Sequence, residues 1–150
     1  MNSEHCSLKR LTVMTKLETI LLEEAREARL KAHAPYSKFL VGAAVLTKSG
    51  AIFQGCNIEN SSFGATVCAE QNALFHAYIH GEHEIEAIAV MADTSSPCPP
   101  CGICRQVIMD LAGNIAVICA NLRGDKRRLT TVELLPEAFT QTFLQHTALE

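Results

Sequence analysis

The sequence has few aromatic residues and no excess of positive charge. Its 150 residues include six Phe, two Tyr and no Trp, and only 19% are charged, against roughly 25% in an average protein. The formal net charge is −3, so no positive surplus favours binding to nucleic acid or to an anionic membrane. No apolar run approaches the roughly 18 residues of a membrane span, and charges occur throughout residues 1–16. The composition therefore predicts a protein that neither enters a membrane nor binds nucleic acid.

A complete set of disulfides is also absent, because the number of cysteines is odd, namely seven. We therefore expect a reduced, cytoplasmic protein. The hydrophobic content of 48% excludes disorder of the whole chain, and 150 residues can form one domain without disulfides. We expect this domain to span residues 15–150, after an N-terminal extension over residues 1–14 that can be disordered.

Hydrophobic periodicity predicts alternating helices and strands in the domain. The first predicted helix starts at Thr15, where Thr15 and Glu18 form a capping-box pattern. Three further helices are predicted over Thr66–His80, Pro100–Leu111 and Val132–Leu135. The predicted strands cover Val41–Leu46, Ala51–Ile58, Ile85–Met91 and Ile115–Ala120. The basic run formed by Arg123, Lys126, Arg127 and Arg128 is interpreted as a solvated turn. This order of elements predicts a three-layer α/β domain around a mixed sheet.

Three cysteines have the spacing of metal ligands. Cys101 and Cys104 form a C-x-x-C pair, which Pro100 places on the first turn of a predicted helix, and Cys68 also lies near a predicted helix start. Helix N-termini stabilise thiolates over thiols. Three thiolates suit zinc and leave one tetrahedral position open for water, so the spacing predicts a catalytic zinc site.

Glu70, two residues after Cys68, is better placed as an acid–base group than as a ligand. Zinc lowers the pKa of a bound water to about 7, and a nearby carboxylate can then relay the proton. The combination of C-x-E around Cys68 with P-C-x-x-C from Pro100 to Cys104 matches the signature of zinc deaminases of nucleobases. A single C-x-x-C is weak evidence, whereas the combined pattern is specific.

The chain resembles the small, homotetrameric type of cytidine deaminase from about Leu17 to Phe139. Besides the zinc signature, the motifs that carry this resemblance are Ala34–Phe39 (APYSKF), Val41–Ala44 (VGAA), Gly55–Asn60 (GCNIEN), Cys104–Gln106 (CRQ) and Glu133–Pro136 (ELLP). The block from Asn57 to Asn60 is specific to nucleoside deaminases within the wider superfamily. The resemblance implies a three-layer α/β/α sandwich around a mixed five-stranded sheet.

The resemblance also implies a reaction and its site. One zinc ion per chain is held by Cys68, Cys101 and Cys104. Hydroxide on zinc attacks C4 of cytidine or deoxycytidine, Glu70 shuttles the proton, and ammonia leaves the uridine product, as in pyrimidine salvage.

Further positions are implied to bind the substrate. Asn57 and Glu59 hydrogen-bond the ribose, whereas Phe39 lines the base pocket. The backbone around Ala69, together with Glu70, reads the polar edge of the pyrimidine. Phe139 stacks on the base from a neighbouring subunit, so the active sites of the homotetramer are shared.

The sequence departs from the family pattern beside the metal ligands. Small three-cysteine members usually carry Arg directly after the motif Glu, whereas this chain has Gln71. A guanidinium there would donate to sulfur and offset the charge of three thiolates. Arg105 is the remaining arginine in a matching place, so Arg105 and Gln71 are the expected neighbours of the ligands. Phe63 also replaces a common Tyr near the 5′ side of the sugar.

Other interpretations of the same residues stay open from the sequence alone. Cys98 forms a second, overlapping C-x-x-C with Cys101 and could complete a four-thiolate structural zinc site in a binding module. A thiol–disulfide role for Cys101 and Cys104 leaves Cys68 and Glu70 unexplained. A deaminase of a modified cytosine nucleoside and a nucleic-acid deaminase are the competing enzymes, and the latter lacks a basic channel.

Overall fold

The computed structural model describes residues 3–144, with the backbone alone for residues 3–15. The strands are β1 (Val41–Thr47), β2 (Ile52–Cys56), β3 (Ile85–Ala92), β4 (Ala116–Asn121) and β5 (Lys126–Thr130). The α-helices are α1 (Ser3–Arg29), α2 (Ala69–Ile79), α3 (Gly102–Ala112) and α4 (Thr131–Leu134), and short 3₁₀ helices cover Phe63–Ala65 and Gln141–Leu144. No helix in this part of the chain is long and apolar enough to cross a membrane.

The five strands form one mixed sheet in the order β2-β1-β3-β4-β5. Strands β3 and β4 are parallel, and the other neighbours are antiparallel. The parallel pair is connected through α3, and the loop from β3 to α3 contains Cys98 and Cys101. Ligand sites of α/β sheets commonly lie at the carboxyl ends of parallel strands, where this loop begins.

Side chains alternate between the two faces of the sheet, and each face has its own core. On β1, Ala43 and Val45 belong to the core beneath α2 and α3, whereas Ala44 and Leu46 belong to the core beneath α1. Helix α1 contributes Leu21 and other apolar residues to the second core, in agreement with its predicted apolar stripe. The architecture is therefore the expected three-layer α/β/α sandwich.

Two glycines allow helix backbones to lie directly against the sheet. A Cβ atom on Gly42 would be 2.0 Å from the carbonyl oxygen of Ala25 in α1. A Cβ on Gly55 would be 2.2 Å from the backbone nitrogen of Ala73 and 2.4 Å from the carbonyl oxygen of Ala69, both in α2. Because real Cβ contacts of this length essentially never occur, both positions require glycine. Gly55 therefore sets the distance between β2 and the start of α2.

Two predictions from the sequence are wrong in their extent. The first helix begins at Ser3 instead of Thr15, because residues 3–29 contain neither proline nor glycine and the capping pattern at Thr15 lies within the helix. The basic run is also not simply a turn, since Lys126, Arg127 and Arg128 lie in the edge strand β5. Charged side chains on an exposed edge hinder pairing with another chain, so the run is compatible with a strand.

Candidate metal centre and active site

The three predicted cysteine ligands lie at the starts of two helices. Cys68 is the N-cap residue of α2, and Cys101 is the N-cap residue of α3. Cys104 follows in the first turn of α3 and is fully buried. Both helices therefore point their positive dipole ends and their free N–H groups towards the sulfur atoms.

The sulfur atoms of Cys68, Cys101 and Cys104 form one cluster, in which all three lie within 4.8 Å of one another. The Cys68 and Cys101 sulfurs are 3.9 Å apart. Two thiolates bound tetrahedrally to zinc at 2.3 Å lie about 3.8 Å apart, so this donor set and spacing fit zinc. Three protein ligands are also the number found in catalytic zinc sites, which keep one position for water or substrate.

Two thiols of the cluster, Cys68 and Cys104, differ in pKa. The hydrogen bond from Cys104 lowers the pKa of Cys68 to about 7, although burial acts in the opposite direction. The same hydrogen bond and burial raise the pKa of Cys104 above its usual range. Without metal, Cys68 is therefore the thiol of this pair with the lower pKa, whereas metal binding requires both thiols to lose their protons.

Glu70 lies in the first turn of α2 and is only 5% exposed. Burial raises the pKa of its carboxyl group. The carboxyl group borders a cavity of about 230 Å³ that also exposes two of the cluster cysteines, Cys68 and Cys101. The side chain of Glu70 and two of the predicted metal ligands thus line one cavity.

The same cavity contains the predicted substrate-binding residues of this chain. Its lining includes Phe39, Asn57, Glu59 and Ala69. Phe39 is 40% exposed, so its ring is available at the mouth of the cavity. A second cavity of about 460 Å³ adjoins the first and shares Glu59 with it. The structure therefore brings all these positions together around the cysteine cluster.

Hydrogen bonds from the backbone fix the two residues predicted to contact the ribose. The side-chain oxygen of Asn57 accepts from the Val41 N–H at 2.8 Å, and its amide nitrogen donates to the Phe39 carbonyl at 2.8 Å. Glu59 accepts from the backbone N–H groups of Tyr36 and Ser37 at 2.8 and 3.2 Å, and also from the Ser37 hydroxyl. The Ser37 hydroxyl is the largest cause of the lowered pKa of Glu59, so the carboxylate stays ionised.

Comparison with known proteins identifies the family of this site. The family model described as the cytidine and deoxycytidylate deaminase zinc-binding region matches residues 15–120, which include all three cysteines and Glu70. The chain belongs to this family of zinc deaminases.

Relatives with high identity cover most of the deaminase chain. It is similar to a cytidine deaminase of Halalkalibacterium halodurans, with 52% identity over 81% of this chain and 92% of that protein. A cytidine deaminase of Sporosarcina psychrophila is 47% identical over 85% of this chain and 95% of that protein. The crystal structure of cytidine deaminase from Burkholderia pseudomallei matches with a TM-score of 0.79 and 47% identity, over 81% of this chain and 98% of that one.

The side chain of Gln71 holds the backbone of Cys68, one of the three predicted ligands. Its side-chain oxygen accepts from the Cys68 N–H at 3.2 Å, so it occupies the third helical position of a capping box. Arg105 donates to the Pro100 carbonyl at 2.8 Å and to the Leu134 carbonyl at 3.1 Å. Both residues therefore hold the backbone around the ligands, and their hydrogen bonds in the described residues go to main-chain groups.

Cys98 lies beside the deaminase site but outside its sulfur cluster. It lines the cavity of about 230 Å³, yet the cluster found in the described residues contains only Cys68, Cys101 and Cys104. Burial, and secondarily the charge of Glu70, raise the pKa of the Cys98 thiol. This arrangement disfavours the four-thiolate structural site that the overlapping C-x-x-C left open.

Cys56, Cys119, His76 and His80 do not line the cavity of about 230 Å³. Cys119 is buried in the core under α2 and α3, and Cys56 is half-buried on β2, as expected for small apolar residues. Cys6 falls among the residues whose side chains are not described. His76 and His80 are exposed, and each Nδ1 lies within 3.0 Å of a backbone carbonyl oxygen, which agrees with the prediction of a helix face.

Phe139 is the one predicted substrate-binding residue that does not border the deaminase cavity of its own chain. Its ring is 56% exposed and stacks on Phe143, with centroids 5.8 Å apart. The Phe139 carbonyl accepts a hydrogen bond from the Gln106 amide at 2.7 Å. Its predicted role in a neighbouring subunit stays a prediction.

Sequence reasoning missed several residues of the site. Ser37 holds Glu59, while Thr66, Val90 and Pro99 line the cavity. Ser37 lies within the APYSKF motif, which was a signal of its importance, although the sequence assigned it no role. The other three have no chemical signature, since apolar and hydroxyl residues are common throughout the chain.

Proposed function

We propose that the chain catalyses the hydrolytic deamination of cytidine and deoxycytidine to uridine and deoxyuridine, with release of ammonia. The observation that carries this proposal is the convergence of the cysteine cluster and the buried Glu70 on one cavity. Asn57 and Glu59 at the same cavity supply the amide and carboxylate that suit the hydroxyl groups of a ribose.

In this proposal Cys68, Cys101 and Cys104 hold one zinc ion per chain. When bound, zinc is a Lewis acid that makes water a nucleophile near neutral pH. Glu70 moves protons from the water that attacks C4 to the ring nitrogen and to the departing amino group. The oxygen of water remains on C4, the C4–N bond breaks, and the nitrogen leaves as ammonia.

The rest of the cavity orients the nucleoside. Glu59 accepts hydrogen bonds from ribose hydroxyls, because its position and its ionised state are fixed by Tyr36 and Ser37. Asn57 uses its amide to fix the backbone at Val41 and Phe39, and an amide oxygen that accepts one hydrogen bond can accept a second from a ribose hydroxyl in the cavity that Asn57 lines. Phe39 and the backbone at Ala69 form the walls of the site around the pyrimidine.

We further propose that the active enzyme is a homotetramer, in which Phe139 of one subunit stacks on the base bound by its neighbour. The exposure of Phe139 and its absence from the lining of the cavity of its own chain support this part. In the cell the enzyme acts in pyrimidine salvage in the cytoplasm. Gel filtration with activity measured across the peak tests the assembly, and an active monomer would contradict it.

Conversion of cytidine to uridine by the purified, zinc-loaded protein tests the reaction, with Glu70→Gln measured beside it. We expect turnover by the parent and a loss of about 10²–10⁴ in kcat for the variant, since it keeps the shape of the side chain but cannot take a proton. Zinc content measured on both proteins shows whether the variant keeps its metal. No turnover on either nucleoside, with one zinc bound per chain, would refute the proposal and favour a modified cytosine nucleoside as substrate.

A further inference from the structure

One hydrogen bond links the helix of the metal ligands to the C-terminal segment of the chain. The Gln106 amide nitrogen of α3 donates to the Phe139 carbonyl oxygen at 2.7 Å. Gln106 lies two residues after Cys104, in the same helix. Among the described residues, this is the one hydrogen bond that joins residues 136–144 to the rest of the molecule, because the others of that segment lie within it.

The segment that Gln106 holds has little secondary structure to fix it. Residues 135–140 form no helix or strand, and Glu137 has a positive φ of 55°. The Arg105 guanidinium donates to the Leu134 carbonyl at the end of α4, where the segment begins. The Gln106 amide donates to the Phe139 carbonyl further along the same segment. Two consecutive residues of α3 therefore fix both ends of the chain between α4 and Phe139.

The bond acts on the backbone of Phe139 and leaves its ring free. Phe139 is 56% exposed and its ring stacks on Phe143 at an angle of 14°, so much of the residue stays accessible to another chain. Gln106 thus fixes where the ring lies without covering it. This is the arrangement required of a side chain that enters a pocket of another subunit.

We propose that Gln106 is a positioning residue, whose amide places Phe139 for stacking on the base in the neighbouring subunit. This inference rests on the shared pocket of the proposed function and adds the residue that holds it in place. Helix α3 then serves two active sites, since its first turn holds metal in its own subunit and its second turn places an aromatic ring for another.

Steady-state kinetics on cytidine with the zinc-loaded oligomer tests the proposal. We expect Gln106→Ala and the isosteric Gln106→Glu, which lacks the donor, to raise KM by about two- to tenfold, the range that a neutral hydrogen bond supports. Zinc content should stay at the parent value. Gln141→Ala, an exposed glutamine of the same segment, is the matched control and should keep the parent KM.

A double variant separates positioning from a general loss of stability. If Gln106 acts through Phe139, the KM of Gln106→Ala/Phe139→Ala equals that of Phe139→Ala alone, whereas independent effects multiply. Multiplied effects would overturn the proposal. An increase of KM for Phe139→Ala but not for the Gln106 variants would also overturn it, while leaving the proposed function intact. No effect of Phe139→Ala would instead refute the shared pocket itself.

Mixed oligomers provide a second test that does not depend on the stability of one variant. Oligomers of Glu70→Gln subunits lack the proton shuttle. In oligomers of Gln106→Ala subunits, the Phe139 ring is no longer held in position for the neighbouring active site. In mixtures, a Gln106→Ala subunit retains Glu70 and receives a correctly placed Phe139 from its partner. Because Gln106→Ala is expected to act on KM, we expect mixed oligomers to have a higher kcat/KM for cytidine than the weighted mean of the two parents, and a kcat/KM at or below that mean would overturn the proposal.

Discussion

Replacing Gly55 by alanine should damage the metal centre through the position of α2. A Cβ there would lie 2.2 Å from the Ala73 backbone nitrogen, whereas ordinary contacts begin at 3.4 Å. The strand and the helix must therefore separate by roughly 1 Å, which costs about 1–3 kcal/mol in a packed core. The start of α2 carries Cys68 and Glu70, and metal–ligand distances tolerate only about 0.2 Å. We expect Gly55→Ala to lose zinc more readily and to lose about a hundredfold in kcat, as for a 1 Å misplacement.

Two other glycines supply the controls. A Cβ on Gly42 meets the backbone of α1 at 2.0 Å, which is an equally severe overlap, but no described residue of α1 lines the cavity. Gly64 has no atom within 4 Å of an added Cβ. Gly42→Ala should therefore lower the free energy of unfolding but keep the zinc affinity, and Gly64→Ala should change neither.

Zinc release to a competing chelator, measured with thermal unfolding and turnover for all three variants, tests this reasoning. The decisive comparison is between Gly55→Ala and Gly42→Ala at similar losses of stability. If both retain zinc equally well, the strain spreads through the molecule without moving the first turn of α2. In that case Gly55 does not set the geometry of the site.

Three further outcomes follow from individual contacts. Cys98→Ser should leave the zinc content unchanged, because Cys98 lies outside the sulfur cluster, and metal analysis showing a lower content would contradict this. Ser37→Ala should raise the pKa of Glu59, since the Ser37 hydroxyl is the main cause of its depression. As the pH falls, Glu59 then takes up its proton at a higher pH than in the parent, and KM rises earlier. NMR titration of the Glu59 carboxyl carbon and KM measured against pH check this, and an unshifted titration would refute it. Gln71→Ala should lower the free energy of unfolding by about 1 kcal/mol, whereas Gln71→Glu should preserve it by accepting the same Cys68 N–H. Urea unfolding of both variants measures the difference, and equal losses would contradict the cap.

The metal centre could be predicted from the sequence because its chemistry is local. Pro100 and the C-x-x-C spacing place two thiols on one helix start, and the C-x-E around Cys68 repeats the arrangement on another. Ligand type and helix position are both encoded within a few residues. The structure places these groups in one sulfur cluster, as predicted.

The parts that sequence reasoning missed depend on contacts between distant segments. Strand β5 is defined by its pairing with β4, and its charged residues carry no strand signal of their own. The hydrogen bonds of Ser37 to Glu59 and of Gln106 to Phe139 span 22 and 33 positions, so a local sequence pattern cannot predict them. Gln71 is a different case, because its bond to Cys68 is local and was missed since the predicted helix start was Thr66 instead of Ala69.

The place of Cys68 and Cys101 at the first positions of α2 and α3 has a consequence for the lifetime of the protein. Serine, threonine, aspartate or asparagine usually occupies such a position and needs nothing from outside the chain. Under the proposed function, the residues that begin both helices are also zinc ligands, and we expect the ion to stabilise the folded chain by mass action. In a cell with little zinc, we expect a larger fraction of newly made chains to unfold locally at the first turns of α2 and α3 and to be degraded by proteases. We therefore expect the supply of zinc to affect how many enzyme molecules persist, in addition to how many are active.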